Sequence, residues 1–250
     1  MKKRHGFTLV ELLTVIIIIS LLAGMISGAA YYAVTSVNQS VIRQEISQLE
    51  LALNAYKAEF GEYPPDGTNS TDVANHIQRC YPNATTTSTW CTVNPSTALV
   101  VFLGPRNADP KNPFGSNPYS ENISLTKPFF EFDETRLENN AYKPRGCTTY
   151  YLYRKAKLSK GKGYYPSYSE AYAYMYLDND GNKKWYNDTT FQIISSGLDN
   201  DFGLDNATLE DLNSTGTAAK GVKIAEGAVP SALGNNITNF APRQIKDLLD

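Results

Sequence analysis

The 250-residue chain is long enough for one or two domains. A content of 42% hydrophobic, 19% charged and 12% aromatic residues excludes a disordered, collagen-like or wholly membrane-embedded protein. With 23 basic against 25 acidic residues there is no bulk charge to bind nucleic acid or an anionic bilayer, and two histidines, three cysteines and no HExxH, CxxC, GxSxG or phosphate-loop pattern lean away from an enzyme.

The strongest signal stands first in the chain. Lys2, Lys3 and Arg4 precede Gly6, then Phe7-Thr8-Leu9-Val10-Glu11, then 23 uncharged residues over 12–34. At 1.5 Å per residue that run spans a hydrocarbon core of about 30 Å once, and the basic residues would stay cytoplasmic with the remainder outside. A secretory signal peptide cut near Ser27-Gly28-Ala29 and a plain single-span anchor are the ordinary alternatives. Both leave Glu11 unexplained, although a carboxylate at bilayer depth costs roughly 2.5–3.5 kcal/mol on insertion scales.

The run from Lys2 to Gly6, followed by Phe7-Thr8-Leu9-Val10-Glu11-Leu12-Leu13, resembles the type III leader of type IV pilins and type II secretion pseudopilins. The resemblance implies that a prepilin peptidase cuts after Gly6 and methylates Phe7, and that Glu11 serves assembly. It also implies a leader over 1–6, a transmembrane and assembly helix over 7–34, an amphipathic continuation over 35–61 and a periplasmic head over 62–250. Its implied partners are other pilin-like subunits, the prepilin peptidase, an inner-membrane assembly platform and membrane lipid, with no nucleic acid. The physical logic is simple: cleavage leaves a cation on Phe7 at the hydrocarbon edge, and Glu11 supplies the opposite charge. The pair forms within one helix or between neighbouring subunits, where a misplaced copy would leave both charges unpaired and axial register is thereby set.

Beyond the membrane segment, Ile42, Ile46, Leu49, Leu53, Tyr56 and Phe60 form one helical stripe, with Arg43, Gln44, Glu45, Gln48, Glu50, Lys57 and Glu59 assigned to the other faces. Gly61, Pro64 and Pro65 end it. One helix over 7–60 would be ~80 Å long; two helices broken near Gly24 or Gly28 are the alternative. The stretch 55–64 is similar to the helix exit of the major secretion pseudopilin. Residues 68–94 read as a loop or insertion, and residues 97–103 as a short helix capped by Ser96, with a buried strand over 99–102 as the alternative. Strands are expected over 129–132, 148–153, 172–176 and 190–195, and a tight hairpin over 178–182. The fold class is α+β, a long N-terminal helix laid on a small antiparallel sheet.

Three features of the head are candidate sites. Cys80 and Cys91 are the favoured disulfide of three pairings, against three reduced thiols with Cys147 in the core. Asp199 and Asp201 alternate between Gly197 and Gly203, which with Asp205 and the Leu198 carbonyl places several oxygens around one point, as Ca²⁺ requires. The segment departs from the EF-hand pattern but resembles the calcium loop near the end of the major pseudopilin, with residues 235–240 as its remainder; a solvated turn is the alternative. Ten tyrosines between Tyr150 and Tyr186 read as half-buried strand faces before they read as a glycan platform. His76 is assigned no catalytic role. The function expected is a structural subunit of a type II secretion pseudopilus. The alternatives are a surface type IV pilus subunit, a membrane-anchored periplasmic binding module that never polymerises, and a secreted glycan-acting enzyme.

Overall fold

The computed structural model describes residues 9–120, 122–159, 162–166, 173–177, 183–202, 209–211, 220–224 and 236–241. Helix α1, Leu9–Phe60, runs for 52 residues without a break at Gly24 or Gly28, so the two-helix alternative is not realised. Three hydroxyls of the apolar half, on Thr14, Ser20 and Thr35, bond back along the helix. Thr14 Oγ1 donates to the Val10 carbonyl at 2.7 Å, Ser20 Oγ to Ile16 at 2.7 Å and Thr35 Oγ1 to Tyr31 at 2.9 Å, so these polar groups need no water as a partner. The helix ends where Gly61 adopts φ +81° and its amide caps the Lys57 carbonyl at 2.8 Å.

The two halves of α1 have different surroundings. Large apolar residues from Leu9 to Val37 are exposed, whereas Ile42, Ile46, Leu49, Leu53 and Tyr56 are buried against the head. Full burial of each such side chain contributes roughly 1.5–3 kcal/mol. The stripe read from spacing is the stripe that packs.

Helix α2, Ser70–Cys80, occupies part of the segment expected to be a loop. Asn69 caps it, its Oδ1 accepting the Thr71 amide at 2.9 Å, and Val73, His76 and Ile77 form the buried face. A helix this short shows one stripe only, which the surrounding Asn and Thr residues obscure. Helix α3, Ala98–Leu103, is buried at all six positions and resolves the choice between helix and strand. Its side-chain acceptor is Asn94 rather than Ser96: Asn94 Oδ1 takes the Ser96 and Thr97 amides at 2.9 and 3.1 Å.

Among the described residues, the expected single sheet is four small ones. Strands β1 (Leu137–Glu138) and β2 (Ala141–Tyr142) form a hairpin turned by Asn139 and Asn140, both at positive φ. The central sheet orders β11 (Ile237–Thr238), β8 (Phe191–Ser195) and β3 (Leu152–Lys155), all antiparallel. Strands β4 (Lys157–Ser159) and β5 (Lys162–Tyr164) pair alone. The last sheet runs β7 (Lys183–Trp185), β6 (Ala173–Leu177), β10 (Lys220–Ile224), β9 (Leu209–Asp211). Its β6–β10 pairing is parallel, a departure that the long connection between the two strands permits. Strands β6 and β7 pair antiparallel with Leu177 opposite Lys183, as a hairpin requires; the turn 178–182 lies outside the described residues.

Two expected strands differ. Residues 129–132 are not a strand: the Phe129 and Phe130 amides both donate to the Leu103 carbonyl, at 2.8 and 3.0 Å, and satisfy the C-terminal end of α3 instead of a ladder. Within 148–153, pairing begins only at Leu152. Thr148 is diverted, since its amide donates to Asn200 Oδ1 at 2.5 Å. Tyr151, Tyr153, Tyr165 and Tyr174 are buried, which accounts for much of the tyrosine-rich stretch by packing.

Candidate functional site

Gly6 and Phe7 lie outside the described residues, and Glu11 sits on α1, exposed, among equally exposed leucines, isoleucines and valines. The exposed apolar surface continues to Val37 and is long and apolar enough to cross a membrane.

The acidic turn after β8 is a defined piece of structure. Gly197 and Asn200 take φ of +75° and +60°, and the Asn200 amide donates to the Gly197 carbonyl at 3.4 Å. The turn is fastened to the segment before β3, because the Cys147 thiol donates to the Gly197 carbonyl at 3.1 Å and Asn200 takes the Thr148 amide. Asp199 Oδ1 accepts the Asp201 amide at 3.3 Å, and the Leu198 carbonyl accepts Asn200 Nδ2 at 3.4 Å. Asp205 lies outside the described residues. The later segment does return to this turn: Asn236 is fully buried, its Nδ2 donates to the Phe202 carbonyl at 3.2 Å, and its Oδ1 has no partner.

Cys80, Cys91 and Cys147 are free thiols in the structure, so the expected Cys80–Cys91 bridge is not formed. Cys80 closes α2 and turns its sulfur to the Phe60 carbonyl, Glu62 and His76, while Cys91 packs against the hydrophobic core. Burial pushes the Cys91 thiol up to about 12. Burial, reinforced by the charges of Asp199 and Glu45, takes Cys147 to about 11.

Two polar clusters were not anticipated. Glu45, assigned to a polar face, is buried on α1 and accepts from Tyr151 at 2.7 Å, Tyr142 at 2.9 Å and the Arg136 guanidinium. The signal existed: Glu45 stands three residues after Ile42 and four before Leu49, on the core side. The second cluster joins Glu62, just past α1, to His76 and Cys80 on α2, with Arg79 and Lys155 on the same carboxylate. Burial lowers the His76 imidazole to about 4 against the pull of Glu62. Burial would raise Glu62, but Arg79, Lys155 and His76 outweigh it and hold the carboxyl at about 2. His76 and Cys80 are four apart, a shared helix face once α2 is recognised.

Residues 1–27 match the prokaryotic N-terminal methylation motif. No curated protein and no solved structure matches the chain. The chain thus carries a prepilin-type N-terminus on a long helix beside small sheets, an α+β, pilin-like architecture. Together these support a type IV pilin-like or pseudopilin subunit, and the apolar helix is compatible with membrane anchoring.

Proposed function

We propose that the protein is a structural subunit of a periplasmic pseudopilus of the type II secretion machinery. Helix α1 first anchors it in the inner membrane with the head in the periplasm. After cleavage between Gly6 and Phe7 and methylation of Phe7, the same helix packs among copies of itself and minor subunits. The observation that carries this reading is the change of surface along α1, exposed and apolar from Leu9 to Val37, then buried against the head from Ile42. A helix apolar on all sides has lipid or other helices as neighbours, and filament assembly exchanges the first for the second. Glu11 then meets the Phe7 amino group of an adjoining subunit.

Calcium belongs to the same proposal. The Leu198 carbonyl, Asp199, Asp201 and Asp205 are oxygen donors of the kind Ca²⁺ takes, and the unpartnered Asn236 Oδ1 beside Phe202 adds another buried oxygen to the neighbourhood. A bound ion would neutralise the carboxylates and hold the turn.

Deletion of the gene in its native cell separates the readings. Loss of protein export with no change in surface filaments is the expected result. Loss of surface filaments with export intact would assign the chain to a type IV pilus, and retention of both would leave an anchored binding module.

A further inference from the structure

Three potential metal ligands converge beside the C-terminal end of α2. Glu62 Oε1 lies 3.0 Å from His76 Nδ1, and Cys80 Sγ lies 3.7 Å from that nitrogen and 4.0 Å from that oxygen. Four-coordinate zinc, with bonds of about 2.0–2.1 Å to nitrogen and oxygen and about 2.3 Å to sulfur, sets its ligand atoms roughly 3.3–3.6 Å apart. The triangle closes on one such ion with small side-chain shifts.

The far side of the imidazole is already organised for ligation. His76 Nε2 lies 2.8 Å from the Tyr56 hydroxyl, which lies 3.3 Å from the Tyr81 hydroxyl, and His76 is buried. A hydrogen-bonded second nitrogen fixes ring orientation and tautomer in metal sites. A nucleophilic relay would place thiol and carboxylate on opposite ring nitrogens. Here both face Nδ1, which argues for a shared ion rather than a shared proton.

We propose that Glu62, His76 and Cys80 bind one zinc-like divalent cation, with the remaining coordination position facing the adjoining cavity of about 370 Å³ lined in part by Asp66, Asp72 and Asn75. A nitrogen, sulfur and oxygen set suits borderline-soft ions and not Ca²⁺ or Mg²⁺. At neutral pH Glu62 is ionised, His76 is neutral and Cys80, raised by burial, is a thiol. Binding shifts the imidazole proton from Nδ1 to Nε2, where the Tyr56 oxygen accepts it, and releases the Cys80 proton, one per ion. Arg79 competes for the ion's place, donating to Glu62 Oε1 at 2.6 and 3.1 Å, but its side chain is 59% exposed and can swing away. Lys155 approaches Oε2 at 3.3 Å and can stay. The ion would tie the exit of the long helix to α2.

Cobalt(II) titration of the reduced, detergent-solubilised full-length protein tests this. One equivalent should develop the near-ultraviolet thiolate-to-cobalt band and the visible bands of a four-coordinate ion, and zinc should abolish both. Cys80→Ser should lose the thiolate band while keeping its melt in chelator, Cys91→Ser and Cys147→Ser should retain it, and Arg79→Gln should tighten binding several-fold. Absence of a thiolate band in the wild type, or its survival in Cys80→Ser, overturns the proposal.

Discussion

The Tyr151 hydroxyl donates to Glu45 Oε2 at 2.7 Å, joining the segment that leads into β3 to the C-terminal third of α1. Tyr142 and Arg136 complete the carboxylate's partners. Breaking a buried charge cluster at one member leaves the others uncompensated. Glu45→Ala is therefore expected to cost roughly 3 kcal/mol, and Tyr151→Phe about 1 kcal/mol. Denaturant titration of both variants measures this, and equal small losses would mean that the cluster contributes little.

Glu11 lies far along α1 from the buried core. Glu11→Val should leave the thermal melt of the head unchanged and sharply lower incorporation into filaments, read by shearing and sedimentation. Normal incorporation would remove the register argument.

Processing is expected between Gly6 and Phe7. Intact-mass measurement of membrane-extracted protein should give a chain starting at methylated Phe7; a start near Tyr31 would restore the signal-peptide reading.

Acid should weaken the metal-free head through His76 and Glu62. His76 falls from about 6.5 unfolded to about 4 folded, so the unfolded chain binds more protons between those values and stability drops as pH falls through that window. Glu62, lowered to about 2, extends the loss below pH 4.5. Tyr56, Cys80, Arg79 and Lys155 surround the pair. Melts in chelator from pH 7 to 4 should fall, and His76→Gln should flatten the upper part of that slope.

Millimolar calcium acting on a site of ~10 μM affinity would add roughly 2.7 kcal/mol. The full-length protein in detergent should melt higher in calcium than in magnesium or chelator, and Asp199→Ala should erase the difference while leaving the chelated melt unchanged. Identical wild-type melts would leave the segment as an ordinary turn.

Long-range periodicity made the helix and its stripe legible, because Ile42, Ile46, Leu49, Leu53 and Tyr56 repeat over four turns. The strand at Phe191–Ser195 was equally plain from its β-branched and aromatic run. What escaped depended on partners distant in sequence. Phe129 and Phe130 look like strand residues until the free carbonyl of Leu103 captures their amides. Glu45 reads as a surface charge until two tyrosines and Arg136 arrive from 91 to 106 residues away. The Glu62 cluster needed α2, whose single stripe lies in a polar stretch. Asn236 returns to the acidic turn through the Phe202 carbonyl, a contact that the resemblance of 235–240 to the remainder of a calcium loop implies.

The unbroken course of α1 has a mechanical consequence. A rod of 52 residues, ~78 Å long, is helical throughout and carries no proline to break its hydrogen-bond ladder. Displacement or rotation imposed at Glu11 therefore reaches Tyr56 with little slack, and the head turns as the foot turns. Machinery acting at the base of such a shaft needs no contact with the head to move it.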